Sequence, residues 1–282
     1  MIKVNNEIIK PEYFPDGTMK LNIVFFPFDD FIKIEWYYDS ENELLQLIYI
    51  VNHIHDISQD VKISLIMPYI PNARFDRTVE VDEVFTLKFF ANIINSLKFD
   101  SVEVLDPHSH VSEALFDRLY IQSPNIYIKK IFKKLPDDTI LFFPDEGSVK
   151  RYSDLPKYCG PYAFGIKRRN WLTGAIEGLD VAGDVEKIKG RNILIVDDIC
   201  SKGGTFYHSA LKLKELGATN IYLYITHCEN SIYDGELLKN NGLIEKIYTT
   251  DSILTNTESP KIELVEEFRK NDPGYFNYES YH

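Results

Sequence analysis

Residues 191–205 read RNILIVDDICSKGGT. Ile193 to Val196 form an apolar run between polar neighbours, which predicts a strand buried on both faces. Two consecutive acids close it, Asp197 and Asp198, and a Ser-Lys-Gly-Gly-Thr turn follows, then a helical pattern from about Phe206 to Leu216. In open α/β sheets ligands gather beyond the carboxyl ends of the strands, so this turn is a candidate site. Gly203 and Gly204 let backbone N–H groups face an anion, and Thr205 adds a hydroxyl at the positive end of the helix. The two carboxylates cannot hold phosphate, but they accept hydrogen bonds from sugar hydroxyls. A sugar phosphate satisfies both halves, with its phosphate on Ser201, Lys202, Gly203, Gly204 and Thr205 and its hydroxyls on Asp197 and Asp198.

Outward from this turn, strands and helices alternate. LNIVFFPF (21–28) reads as a strand, Leu44 to Ile57 as a helix, 61–69 as a strand, 84–98 as an amphipathic helix and SVEVLDPH (101–108) as a strand. The second half repeats the pattern in kind, with strands at 138–147, 162–170, 191–198, 220–230 and 246–254. The expected fold class is α/β, as two doubly wound, mostly parallel sheets in domains 1–125 and 126–282. The aromatic and polar end, KNDPGYFNYESYH, reads as a frayed tail.

Composition narrows the function. The chain has 282 residues and a net charge of −12, which argues against duplex nucleic acid as a partner, since that requires a cationic face. Its 44% hydrophobic content is that of a globular chain. No apolar run is long enough to cross a bilayer and no signal-peptide core opens the chain, so a cytoplasmic location without membrane association is expected. Cys159, Cys200 and Cys228 form neither a disulfide framework nor a zinc spacing, and Cys200 reads as a small filler. An acidic chain that binds phosphates has to concentrate its cations locally or use a metal.

Three further strand ends carry chemistry-bearing residues: DPHSH (106–110), PDEG (144–147) and IKRRN (166–170). With the Asp-Asp turn they resemble the ribose-phosphate diphosphokinases, or PRPP synthetases. PYIPNARFDR (68–77) resembles that family's nucleotide segment, VLDPHSHVSEALFD (104–117) its metal-histidine segment, FPDEGSVKR (143–151) its Pro-Asp segment, and FPDGTMKLNI (14–23) its early Phe-x-Asp-Gly segment. The segments run in family order from about residue 14 to 254. Type I phosphoribosyltransferases share only the turn and the fold.

The resemblance implies an ATP- and Mg²⁺-dependent transfer of a pyrophosphoryl group to the 1-hydroxyl of ribose 5-phosphate, giving PRPP and AMP. It implies ATP contacts from Phe14, Asp16, Arg74, Phe75 and Asp76, metal binding by His108 and Asp145, and transition-state cations at Lys167 and Arg169. It implies a homo-oligomer, at least a dimer, with Phe14 and Asp16 serving a neighbouring subunit. The stretch NWLTGAIEGLDVAGD (170–184) is expected to form a mobile lid.

This sequence departs from the family pattern at several places. Only 13 residues precede Phe14, where the family has a strand–helix unit. Phe75 replaces a glutamine, and Glu146 and Ser148 enter the Pro-Asp-x-Gly-Gly segment. The usual Asp-Thr-Gly-Gly-Thr becomes Ser201-Lys202-Gly203-Gly204-Thr205, which removes an acid and adds a cation. That change suits an acceptor with more phosphate, such as the ribose 5-diphosphate end of ADP-ribose. A non-catalytic regulatory relative and a phosphoribosyltransferase are the alternatives from other classes.

Overall fold

A computed structural model of the chain describes residues 1–23, 30–169, 176–239 and 242–270, with backbone alone at 167–169, 176 and 177. The chain divides into two compact units: Met1–Gln122 with the stretch beginning at Phe268, and Ser123–Glu267.

In the first unit, β1 (Ile2–Val4), β2 (Glu7–Ile9), β3 (Glu12–Tyr13) and β4 (Met19–Lys20) precede β5 (Phe31–Trp36) and α1 (Asn42–Ile57). Next come β6 (Lys62–Ile66), α2 (Thr86–Ser96), β7 (Ser101–Leu105), α3 (Val111–Leu115) and β8 (Leu119–Gln122). The sheet order is β2-β1-β5-β6-β7-β8, with β5 to β8 parallel and the β1–β2 pair antiparallel at one edge. β3 and β4 form a separate hairpin.

Helix positions follow from the spacing of apolar residues. On α1, Leu47, Ile50, Val51 and Ile54 are buried; on α2, Leu87, Phe90, Ala91 and Ile94. Both sets run i, i+3, i+4, i+7, a single face that packs on the sheet. Each fully buried aliphatic side chain contributes roughly 1.5–3 kcal/mol relative to exposure.

One expectation changes here. Residues 24–28 of the expected first strand lie outside the described residues, and Leu21–Ile23 are not strand. The strand leading into α1 is Phe31–Trp36 instead. Where the family has a strand–helix unit before Phe14, residues 2–9 form an antiparallel hairpin on the sheet edge.

The second unit runs α4 (Asn125–Phe132), β9 (Ile140–Phe143), α5 (Glu146–Arg151), α6 (Pro156–Cys159), β10 (Tyr162–Arg169) and β11 (Ile176–Gly183). It continues with β12 (Ile193–Cys200), α7 (Gly204–Glu215), β13 (Ile221–Cys228), β14 (Lys246–Thr250) and β15 (Ile262–Glu266). The sheet order is β11-β10-β9-β12-β13-β14-β15, parallel from β10 to β15 with β11 antiparallel at the edge.

β12 lies centrally and is covered on both faces, which is why Ile193–Val196 is uninterrupted and apolar. Ile193 and Ile195 enter the core beneath α7, where Phe206, Ala210 and Leu213 are buried. Leu194 and Val196 enter the opposite core with Ile128, Ile131 and Tyr152.

Within the expected lid, Ile176–Gly183 is a strand paired antiparallel to β10. Its glycine at 183 serves close packing as well as conformation. Gly183 has φ +88°, and a Cβ there would lie 2.7 Å from the Tyr162 carbonyl oxygen. Residues 170–175 of the expected lid, and 271–282 of the expected tail, lie outside the described residues.

Candidate functional site

In the second unit the site is built on the carboxyl end of β12. The strand includes the two acids, as its sequence suggests, and runs on past them to Cys200. β9 pairs with it only as far as Phe142, opposite Ile195, and ends one residue later at Phe143. The chain then turns at Pro144 and Asp145 into α5. Asp145 is the N-cap of that helix, and its Oδ1 accepts the Ser148 N–H at 3.1 Å.

Ser148 and Arg151 lie three residues apart on α5, hence on one face of it. Both side chains reach the acids. The Ser148 hydroxyl donates to Asp197 Oδ1 at 2.8 Å. Arg151 Nη1 lies 2.5 Å from Asp198 Oδ1 and 3.5 Å from Asp197 Oδ1. Asp197 Oδ1 also accepts the Asp198 N–H at 3.0 Å.

Burial raises the Asp197 carboxyl well above its ordinary range, and the neighbouring Asp198 raises it further, while Arg151 and Ser148 pull it back. Asp198 is buried at 2% exposure. The result is a pair of adjacent acids, one tied to a guanidinium and one to a hydroxyl.

The Ser201–Thr205 turn follows directly. Gly203, the α7 N-cap, takes φ +77°, and a Cβ there would fall 2.3 Å from Leu237 Cδ1. Gly204 has no neighbour within 4 Å of a Cβ, so its Cα faces open space at the start of the helix. The first N–H groups of a helix have no intrahelical acceptor, and the helix dipole is positive there. Ser201 is half-buried, and Lys202, Gly204 and Thr205 are exposed. Cys200 is buried in the core, as a filler would be.

The turn is held from outside by a residue that its own sequence does not reveal. A Cβ on Gly235 would lie 1.8 Å from the Lys202 carbonyl oxygen, so only glycine fits where the two backbones meet.

These contacts separate the roles of the two glycines. Gly203→Ala is expected to destabilise the protein by about 2 kcal/mol or more, through the positive φ and the clash with Leu237. Gly204→Ala meets neither obstacle and is expected to leave the melting temperature unchanged while raising the acceptor KM. Thermal denaturation and acceptor kinetics on both variants check this.

Lys167 and Arg169 lie near the end of β10, where only the backbone is described. Lys167 pairs with Leu179 and Arg169 with Ile176, with a bulge between Arg168 and Arg169. Phe164 is opposite Phe143. Continuing that register puts position 167 past the end of β9, on the edge of the sheet that carries Asp145, Asp197 and Asp198.

The first unit gathers a second group of residues. Backbone bonds join the two segments that hold them, Leu105 N–H to the Pro68 carbonyl at 3.0 Å and Met67 N–H to the Glu103 carbonyl at 2.8 Å. Asp76 is buried, and its Oδ1 accepts Arg77 Nε at 2.8 Å. Burial raises the Asp76 carboxyl, but Arg77, Ser109 and His108 outweigh that and hold it below its usual range. Arg74 is exposed, while Phe75 and His108 are half-buried.

Phe14 and Asp16 lie in the turn of the β3–β4 hairpin. Phe14 is 53% exposed. Asp16 Oδ1 accepts the Thr18 hydroxyl at 2.7 Å and the Thr18 N–H at 3.0 Å, and these bonds lower its pKa.

Among the described residues no group of three or more His, Cys, Asp or Glu could cage a metal. A hard cation held by one or two side chains and completed by substrate phosphates and water fits these residues, and Mg²⁺ is such an ion. No helix among the described residues is long and apolar enough to cross a membrane.

No family model matches the chain. Among curated proteins it is 32% identical over 235 residues to the ribose-phosphate pyrophosphokinase of Thermosipho africanus, covering 80% of this chain and 71% of that one. It is 28% identical over 228 residues to the enzyme of the same name from Vibrio vulnificus strain YJ016, covering 78% of this chain and 69% of that one. For the Chlorobaculum tepidum protein of that name the values are 27% over 265 residues, 91% and 79%. The crystal structure of phosphoribosylpyrophosphate synthetase from Mycobacterium smegmatis superposes with a TM-score of 0.77 at 19% identity, covering 92% of this chain and 86% of that one. That likeness establishes the α/β fold, and the sequence relatives establish the lineage. The chain belongs to the ribose-phosphate pyrophosphokinase family of transferases.

Proposed function

We propose that the protein transfers the β,γ-pyrophosphoryl group of ATP to the 1-hydroxyl of ribose 5-phosphate. The hydroxyl oxygen forms a bond to the β-phosphorus, the bond from that phosphorus to the α,β-bridging oxygen breaks, AMP leaves, and the hydroxyl proton is released. The observation that carries this reading is the end of β12, where two acids stand directly before a glycine N-cap. Asp197 and Asp198 accept the sugar hydroxyls, and the first turn of α7 with Ser201, Lys202 and Thr205 holds the 5-phosphate.

Arg74, Phe75 and Asp76 bind the nucleotide of ATP, with Phe14 and Asp16 from a second copy of the chain. His108 in the first unit and Asp145 in the second are each assigned to Mg²⁺ binding, which would neutralise triphosphate charge. Lys167 and Arg169 stabilise the charge that develops on the transferring phosphates. The domain assignment follows: 1–125 handles nucleotide, and 126–282 handles ribose phosphate.

Incubation with ATP, Mg²⁺ and ribose 5-phosphate tests the reading, with AMP release as the measurement. AMP that depends on the acceptor is the expected result. ATP binding without AMP from any ribose phosphate would instead identify a regulatory relative. A second reading, ADP-ribose as acceptor, is favoured by exposed Lys202 and the open space at Gly204. AMP release with ADP-ribose but not with ribose 5-phosphate would establish it.

A further inference from the structure

We propose that Ser148 is a positioning residue for the acceptor, fixing one oxygen of Asp197 so that the other is presented to a sugar hydroxyl. The inference rests on Asp197 being a sugar-binding acid, as proposed above.

Three groups converge on Asp197 Oδ1: the Ser148 hydroxyl at 2.8 Å, the Asp198 N–H at 3.0 Å and Arg151 Nη1 at 3.5 Å. Among the described residues none donates to Oδ2. Rotation of the carboxylate is therefore restrained through one oxygen, and the lone pairs of the other remain for a ligand.

The hydroxyl of Ser148 has one proton and two carboxylates within reach. It lies 2.8 Å from Asp197 Oδ1 and 3.3 Å from Asp145 Oδ1, so the shorter contact takes the proton. Asp145 is held instead by the Ser148 backbone N–H at 3.1 Å. One residue thus anchors two acids through two different groups, and its side chain is 2% exposed, so water does not substitute for it freely.

This division makes the test selective. Ser148→Ala removes the hydroxyl and keeps the N–H, so it loosens Asp197 and leaves Asp145 capped. Hydrogen bonds to charged groups are strong enough that losing one is expected to weaken acceptor binding about tenfold.

Calorimetric titration of ribose 5-phosphate into the wild-type protein and Ser148→Ala, with Mg²⁺ and without ATP, gives the dissociation constants directly. Steady-state kinetics add the KM for ATP and the Mg²⁺ concentration for half-maximal rate. The expected result is a Kd for ribose 5-phosphate raised about tenfold, with the ATP and Mg²⁺ values moving less than about twofold. Ser148→Gly, which lacks the same hydroxyl, is expected to match it in acceptor affinity. Equal acceptor Kd values for the wild type and Ser148→Ala overturn the proposal, as does a parallel loss of ATP and Mg²⁺ response, which marks a merely structural role. Failure of the wild type itself to bind ribose 5-phosphate is a different result, and it removes the acceptor reading along with the proposal.

Discussion

Arg151→Met is expected to lower stability by about 3–5 kcal/mol and to raise the acceptor KM sharply. Arg151 lies beside two adjacent carboxylates, 2.5 Å from Asp198 Oδ1 and 3.5 Å from Asp197 Oδ1. Its own side chain is 19% exposed, and those of Asp197 and Asp198 are 15% and 3% exposed. Removing one member of a buried ion pair leaves the other charge without compensation, and this sets the magnitude. For a unit of this size the loss corresponds to a fall of roughly 10 °C in Tm.

The pH dependence gives a second readout with a definite sign. The folded-state pKa of Asp197 is already raised well above 3.8, its burial and Asp198 outweighing Arg151 and Ser148. An acid whose pKa is higher in the folded than in the unfolded state binds more protons when folded, so raising the pH costs stability. That loss begins above about 4 and is complete once pH exceeds the folded pKa. Without Arg151 the raise grows, so the gap in Tm between wild type and variant widens as pH rises past the folded pKa of Asp197 in the wild type. Calorimetric scans across that range check it. A gap that stays constant with pH would show that Arg151 acts by packing rather than by charge. Arg151→Lys restores a point charge but not the planar fork, and is expected to recover stability more fully than acceptor affinity.

Ser148 is visible in the sequence only as a departure within the FPDEGSVKR segment, and Arg151 does not stand out at all. A Lys-Arg pair at a helix end reads as solvated. Its partners are 46 and 47 positions away, and only the β9–β12 pairing brings them together. β12 and α7 are legible for the opposite reason. Their signals are local: an apolar run that only a central parallel strand tolerates, then glycines, then an i, i+3, i+4, i+7 face of Phe206, Ser209, Ala210 and Leu213.

β5 illustrates how such local reading fails. Leu21–Ile23 open an apolar run but are not strand, whereas Phe31–Trp36, which contains Lys33 and Glu35, is. Glu35 is 7% exposed and accepts the Tyr37 hydroxyl at 3.0 Å, with Lys33 3.4 Å away. A partnered buried charge has the same spelling as a surface charge. Gly183 makes the complementary point: it lies in the stretch expected to form a lid, and the close approach of Tyr162 requires glycine there. The order of the family's segments is legible in the sequence, while the contacts that hold them in place are not.

Lys167→Ala is expected to lower kcat by about 10²–10³-fold and to change the ATP KM by less than about threefold, the signature of a group that acts in the transition state. Its backbone position supports this. Phe164 pairs with Phe143, and Phe142 with Ile195, so carrying the register forward sets Gly165 level with Pro144 and Asp197, and Ile166 level with Asp145 and Asp198. Position 167 is one residue further toward the ligand edge, two strands from β12, or about 10 Å across the sheet. β10 is held firmly there. A Cβ on Gly165 would lie 2.6 Å from the Pro144 carbonyl oxygen, so the two backbones are in close contact two residues before the lysine. A cation carried on a strand fixed in this way needs little reorganisation when charge develops on the transferring phosphates. Uniform ground-state binding would instead raise the ATP KM and spare kcat. Single-turnover rates with saturating ATP separate the two, and an unchanged rate in Lys167→Ala would remove this residue from the chemistry.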